Sequence, residues 1–459
     1  MKKIYSIGFM FLFLLGVTSC AEDFIETEPE NSIGGIENQL TDLNSAQDAL
    51  IGMYNDLQDN DIYDGTMVYF AGMWTDEMRH TGSFPTFAQM SGNDPNTENV
   101  TLNNMWNGVY NTIFAANNLV DNLVDIEGGS QEDIDVLRGQ AYGVRALMYF
   151  NLVRFFGPVP LELVPRADVT ELDAASSLPR ASESEVYTQI LNDLGQAIAL
   201  LEGKQDVRAN RWSTGASYAL RAQVHLQMDN LTAAQADLET LLGFGYALES
   251  DYSTLFGNPL QGSTLSPNET IFGIEFSSVD GGNLAFFYSD QQFGGRDELR
   301  PRNELINAFE AGDARVSGFR LNSSGQINVG KYTQAGNGDD DIHVIRYADV
   351  LLMLAEVYAK QGNATASDYL NEVRERAGLA PVTLDAGNVD TLIPQERFVE
   401  FFAETGDRYH TLKRFGQLDA VVQAKGGAFV AERDNLWPIP QNEIDNNTAL
   451  SAADQNAGY

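Results

Sequence analysis

Two stretches of this chain, 133 residues apart, carry one spacing of small and turn-forming residues. In the first, Ala222 is followed by His225, Asp229-Asn230, Ala233 and Ala236. In the second, Ala355 is followed by Tyr358, Gly362-Asn363, Ala366 and Tyr369, at the same offsets of 3, 7, 8, 11 and 14 residues. Small residues on either side of a turn pair let two antiparallel helices approach closely, as in a tetratricopeptide-type repeat. The pattern predicts a mainly α chain built on a scaffold of helix pairs. Four further segments read as helices. Ser45–Leu57 places Ala46, Ala49, Leu50, Met53 and Leu57 on one face. Leu102–Ile126 does the same, and Ile134–Phe156 ends at Gly157-Pro158. Glu183–Leu201 starts after Ser182, with Glu185 three residues on as a capping box. Between the repeated pairs, residues 243–344 are rich in Gly, Ser, Asn and Pro, with short β-like runs at Thr270–Phe276 and Ile327–Tyr332. A loop region of that length inside a compact protein is usually functional.

Composition narrows the function. At 459 residues and 43% apolar, the chain can bury a large core. Lys+Arg is 28 against Asp+Glu at 65, a net charge of −37, which disfavours a general nucleic-acid binder and a polybasic membrane patch. One cysteine excludes an internal disulfide and a Cys-rich zinc fold, and His80, His225, His343 and His410 form no HExxH pair. Enzyme motifs mostly fail. Gly325 to Lys331 has phosphate-loop spacing, but Tyr332 stands where a Ser or Thr must be, and no helix pattern follows. No G-x-S-x-G elbow is present, and carboxylate pairs such as Asp76/Glu77 are expected by chance among 65 acids. Asp339-Asp340-Asp341 reads as a solvated acidic turn, with a hard cation such as a structural calcium ion as the alternative.

The N-terminus reads as an address. Lys2 and Lys3 precede an apolar run, Ile4 to Val17, too short to span a membrane. It ends in Val17-Thr18-Ser19-Cys20, where the chain's one cysteine sits as in a bacterial lipoprotein cleavage box. Residues 1–19 are therefore expected to be a signal peptide, with Cys20 lipidated and 20–40 a polar tether. Ala21-Glu22-Asp23 resembles the surface-export signal of Bacteroidetes lipoproteins.

The C-terminal half carries a family resemblance. Residues 346–356 read Arg-Tyr-Ala-Asp-Val-Leu-Leu-Met-Leu-Ala-Glu, and 370–379 read Leu-Asn-Glu-Val-Arg-Glu-Arg-Ala-Gly-Leu. With Glu396-Arg397, Glu400, Gly406, Arg408, Leu412, Arg414 and Gly416, then Leu436–Pro440 and Glu443, and the end Gln455–Tyr459, they resemble the SusD/RagB family of outer-membrane nutrient-binding lipoproteins. Thr411, Phe415 and Ala457 depart from its usual residues. Upstream, Trp106, Tyr110, Ile113, Asn117, Ala141, Arg145 and Ala146 match as well, so the resemblance spans essentially the whole chain. It implies one glycan-binding domain over 41–459, with an N-terminal part to about 240, the loop-rich middle, and a helical part from about 345. It also implies a surface-exposed, non-catalytic protein without a cofactor. Such a protein captures polysaccharide or oligosaccharide for a SusC-like TonB-dependent transporter and is anchored to the outer membrane by acyl chains such as palmitate. A peptide-binding member, or a helical adaptor with a protein partner only, are the alternatives.

A sugar site needs flat aromatic faces with polar groups to read hydroxyls. Two stretches qualify, and both match where the family places its binding surface. The first holds Tyr69, Phe70, Trp74, Arg79, His80, Phe84 and Phe87; the second holds Asn283, Phe286, Phe287, Tyr288, Gln291, Gln292, Phe293 and Arg296. Consecutive aromatics cannot all face one way, so at least one of Phe286–Tyr288 is expected to be exposed. Trp106, Trp212 and Trp437 read as structural and Trp74 as a candidate platform. Arg79-His80 and the cluster Arg296, Arg300 and Arg302 suit carboxylates and sulfates, unless Arg300 and Arg302 brace a helix at Glu304–Phe309. The acidic, lysine-poor composition suggests a salt-adapted source, and with it an algal glycan.

Overall fold

The structure, a computed structural model, describes residues 40–123, 126–165, 177–204, 209–256, 265, 266, 268–433 and 435–459. Cys20, the leader and nearly all of the expected tether lie outside these residues. The elements in chain order are α1 (Leu43–Leu57), α2 (Thr66–Trp74), β1 (Met78–His80), α3 (Pro85–Ser91), α4 (Val100–Asn122), α5 (Gln131–Phe156), β2 (Val159–Pro160), β3 (Arg180–Ala181), α6 (Glu183–Leu201), α7 (Thr214–Gln227) and α8 (Leu231–Leu242). They continue with β4 (Thr270–Ile274), α9 (Leu284–Tyr288), β5 (Leu299–Pro301), α10 (Asn303–Ile306), β6 (Phe319–Leu321), β7 (Ile327–Val329), β8 (Ile342–Arg346), α11 (Tyr347–Lys360), α12 (Ala366–Arg376), α13 (Val389–Glu400), α14 (Asp407–Arg414), α15 (Leu418–Ala424) and α16 (Gln441–Asn446).

The helices stack in sequence. α1 packs on α4, α4 on α5, α5 on α6, α6 on α7, α7 on α8, α8 on α11 and α11 on α12. The two repeated patterns are the hairpins α7–α8 and α11–α12, with Ala222, Ala355 and Ala366 fully buried where the helices meet. Caps set the ends: the Ser182 hydroxyl accepts from the Glu185 amide while the Glu185 carboxylate accepts from the Ser182 amide at 2.8 Å. α4 starts two residues before the expected position and stops at Asn122, four short of it. Among the described residues no helix is long and apolar enough to cross a membrane.

Among the described residues there are four two-stranded antiparallel sheets; β1–β5, β4–β8 and β6–β7 hold the loop-rich middle, and β2–β3 lies outside it. The segment with phosphate-loop spacing supplies β7, and Tyr332 beyond it is buried against Tyr288. The acidic triplet is a backbone clamp. Asp340 accepts from the amides of Thr333 and Gln334 at 2.8 and 2.7 Å, and Asp341 from that of Phe276 at 2.9 Å.

The sheet β1–β5 is anchored beneath by Glu77. Its backbone carbonyl accepts from the Arg302 amide at 2.9 Å and its buried carboxyl from the Ala403 amide at 3.1 Å. Burial pushes that carboxyl up to about 8, although Ala403, Lys331 and Arg408 pull the other way. A carboxyl held above its ordinary 4.5 keeps its proton in the fold after the unfolded chain has released it. Its contribution is full below pH 4.5 and lost as pH rises through about 8. Glu77→Gln keeps the shape and removes the titration. Relative to wild type, the variant is expected to gain on the order of a few kcal/mol in denaturant-unfolding stability between pH 5 and pH 8. An unchanged difference at the two pH values would contradict this.

Candidate functional site

The two stretches read from the sequence as candidates meet in space. β1 pairs with β5 in the register Met78↔Pro301, Arg79↔Arg300 and His80↔Leu299. Beyond the strands, the Thr81 amide donates to the Glu298 carbonyl at 2.8 Å, and the Glu298 amide donates to the Phe287 carbonyl at 3.0 Å. This lays α9 beside α3.

The residues between them form an aromatic cluster. Phe84 lies 5.2 Å from Phe87 and 6.2 Å from Phe287, centroid to centroid, and Phe286 lies 5.5 Å from Phe287. Phe84, Phe286 and Phe287 are half-buried, and Phe293 is exposed. One edge of the cluster therefore faces outward over a packed base of Tyr69 and Phe87. The Arg296 guanidinium lies 4.4 Å from the Phe84 ring centroid, and that of Arg320 lies 4.3 Å from the Phe293 centroid.

A buried carboxylate organises the polar rim. Glu298 meets His80 Nε2 at 3.1 Å and accepts from the Ser83 amide at 3.0 Å and Arg296 Nε at 2.7 Å. Gly82 is required there, because a Cβ on it would stand 1.8 Å from a Glu298 carboxylate oxygen. Asp64, at the start of α2, clamps α9. It accepts from the Asn283 amide at 2.5 Å, the Asn283 side chain at 3.0 Å and the Leu284 amide at 3.3 Å. Burial pushes the Asp64 carboxyl up to about 7 against those donors. Neither acid stands in a sequence pattern that marks it, since both act across more than two hundred residues.

Four candidates read from the sequence are corrected by their burial. Trp74 is 3% exposed, tilted against Trp437 at 6.1 Å and edge-on to Tyr409 at 6.5 Å. Tyr69 and Phe87 are the packed base, and Tyr288 is fully buried, stacked 6.1 Å from Tyr332. Phe70, beside them, is fully buried too. The physical reason for Trp74 is that α2 is covered on every side; all nine of its residues are buried. Asn283 spends its amide on Asp64, so it positions α9. Arg300 pairs with Asp297, while Arg302 is the N-cap residue of α10 through its backbone carbonyl, with its Nε donating to the Met78 carbonyl at 2.9 Å. Trp106, Trp212 and Trp437 are core residues as expected. Gln291 and Gln292 are exposed beside Phe293.

What remains outward is an open face of Phe84, Phe286, Phe287 and Phe293, with Arg296, His80 and Gln291 around it. It can stack flat apolar faces and donate hydrogen bonds to hydroxyls. A cavity of about 80 Å³ lies elsewhere, lined by Asn151, Arg154, Asp349, Arg397 and His410 among others. It is smaller than the roughly 150 Å³ that takes one benzene.

Comparison with known proteins gives three further findings. A family model described as starch-binding, associating with the outer membrane, matches residues 23–226, and the SusD family model matches 288–459. SusD-like protein P38 of Formosa agariphila is 26% identical over 525 aligned positions, covering all of both chains. Two solved structures share the fold. A laminarin-binding SusD-like protein superposes with a TM-score of 0.79 at 23% identity, over 91% of this chain and all of that one. Surface glycan-binding protein A of Bacteroides thetaiotaomicron, in complex with laminarihexaose, superposes with a TM-score of 0.74 at 19% identity, over 90% and 99% of the two chains.

Proposed function

The chain belongs to the SusD family, and we propose that it is a non-catalytic glycan-capture protein of the cell surface that passes polysaccharide or oligosaccharide to a SusC-like TonB-dependent transporter. The observation that carries this reading is the outward aromatic face with its polar rim. Flat rings over a packed base suit the apolar faces of sugar rings, and Arg296, His80 and Gln291 suit their hydroxyls. Two fold relatives that bind laminarin or a laminarihexaose make a β-glucan the first ligand to try. An algal source of that glycan fits the acidic composition. Arg296 is already engaged by Glu298 and Ser83, so the rim is set before a ligand arrives.

The anchor follows from Cys20. Acylation there, with about 0.8 kcal/mol per buried methylene, holds the protein on the membrane. Cys20→Ala is expected to move it from the envelope fraction to the soluble one; continued sedimentation with envelopes would contradict the anchor. Isothermal titration of the mature protein against laminarin and a panel of algal and plant polysaccharides tests the capture role. Heat of binding without release of reducing ends supports it, and silence against the whole panel overturns it.

A further inference from the structure

In a chain so acidic, most cations are paired. Arg145 meets Asp193 at 2.7 Å and Arg408 meets Asp76 at 2.7 Å. Arg79, Arg302 and Lys425 are among the exceptions. Among the described residues none of them has a carboxylate within ion-pair distance. Arg79 is exposed, and among the described residues its guanidinium makes no hydrogen bond. Arg302 spends only Nε, on the Met78 carbonyl at 2.9 Å, which leaves its terminal nitrogens as donors. Lys425 Nζ donates to the Met73 carbonyl at 2.6 Å and the Ser91 carbonyl at 3.4 Å.

These groups lie together. Side chains alternate across a strand, so Arg79 points away from its neighbour His80. Arg300, opposite Arg79, and Arg302, two residues on, share that face. Burial first, and the charge of Arg79 among its neighbours, hold Arg302 below its ordinary value. Burial first and Arg302 second push Lys425 down to about 6. Two arginines thus repel one another beside a lysine that is largely neutral near pH 7, with Glu304 and the Arg408-bound Asp76 as the acids in range. The bulk charge of −37 does not cancel this field, since screening limits reach to about 8 Å at physiological salt.

The spot lies on the face of β1–β5 opposite His80 and reaches the end of α3 far from Phe84. Phe84 caps the start of α3 and Ser91, held by Lys425, is its last residue, about 10 Å away at 1.5 Å per residue. We propose that Arg79 and Arg302 form an anion subsite, taking an oxyanion substituent, sulfate ester or uronate carboxylate, of a captured glycan. This rests on the glycan-capture reading and gives its ligand a charge. Two guanidinium forks with free donors suit an oxyanion geometrically as well as electrostatically.

The test titrates the mature protein with laminarin, alginate and a sulfated carrageenan, for wild type, Arg79→Gln and Arg79→Gln/Arg302→Gln. Alginate against carrageenan separates carboxylate from sulfate. The expected result is salt-sensitive binding of one polyanion by wild type, weakened about tenfold or more in the double variant. Any laminarin binding is left unchanged, and Arg79→Lys retains part of the polyanion binding. Arg79 is exposed, so its single variant carries the test if the double variant does not fold. Laminarin binding with no polyanion binding overturns the subsite and leaves the capture role standing. Equal polyanion binding by wild type and variants also overturns it. No binding to any of the three overturns the subsite, and silence against the wider panel as well overturns the capture role.

Discussion

Arg346→Ala is expected to destabilise the protein by about 3–5 kcal/mol, a large share of a typical folding free energy. Arg346 is 1% exposed and bonds Glu269 at 2.7 Å, Glu400 at 2.9 Å and Glu404 at 2.9 Å. Around it Arg315 meets Asp313, Glu396 and Glu400, Arg374 meets Glu396, Arg376 meets Glu269 and Glu400, and Lys331 meets Glu404. Five cations thus face five buried acids, with the exposed Glu310 as a sixth acid on Arg374. Removing Arg346 leaves the buried acids one positive charge short, an uncompensated charge that costs far more than the net worth of the pair. The network ties the ends of α12 and α13 to the sheet β4–β8, and so to the middle region that carries the aromatic face. Burial works to raise the Glu400 carboxyl, but Arg376, Arg346 and Arg315 overcome it and hold it well below the usual range. A depressed carboxyl stabilises above its ordinary 4.5 and loses that contribution as pH falls. The variant's deficit, read from denaturant midpoints, should therefore shrink on acidification from pH 7. A deficit below about 1 kcal/mol at pH 7 would contradict the account of the network.

Trp74→Ala and Phe84→Ala/Phe287→Ala are expected to separate stability from binding. Trp74 is sealed beneath the face, so its truncation should cost about 3–5 kcal/mol of stability through the cavity it leaves. Phe84 and Phe287 are half-buried at the face. Their joint truncation should weaken glycan binding by about 1–3 kcal/mol, roughly tenfold to a hundredfold, beyond whatever stability they lose. A melting temperature untouched by Trp74→Ala would return Trp74 to the list of candidates.

Much of this was legible in the sequence because it is local. The capping box at Ser182 and Glu185, the offsets shared by α7–α8 and α11–α12, and the end of α5 at Gly157 each depend on a few neighbouring residues. The family motifs at 346–379 carried the rest of the scaffold. What sequence patterns could not supply was long-range pairing. Nothing near residue 78 announces that it pairs with 301, nor that Glu298 and Asp64 hold the two stretches together. Trp74 was misread for a different reason. Thr66–Trp74 has no polar face, a mark of a fully enclosed helix that a tryptophan's chemistry does not override. Arg79-His80, taken as a unit in sequence, divides between two faces of a strand.

The central claim is that the aromatic face holds carbohydrate without altering it. Isothermal titration of laminarin, and of whichever panel glycan binds, into folded wild type and folded Phe84→Ala/Phe287→Ala addresses it directly. The account predicts binding by wild type, a loss of tenfold or more in the variant, and no new reducing ends in either sample. Undiminished affinity in the variant, or cleavage of the glycan by wild type, would contradict it.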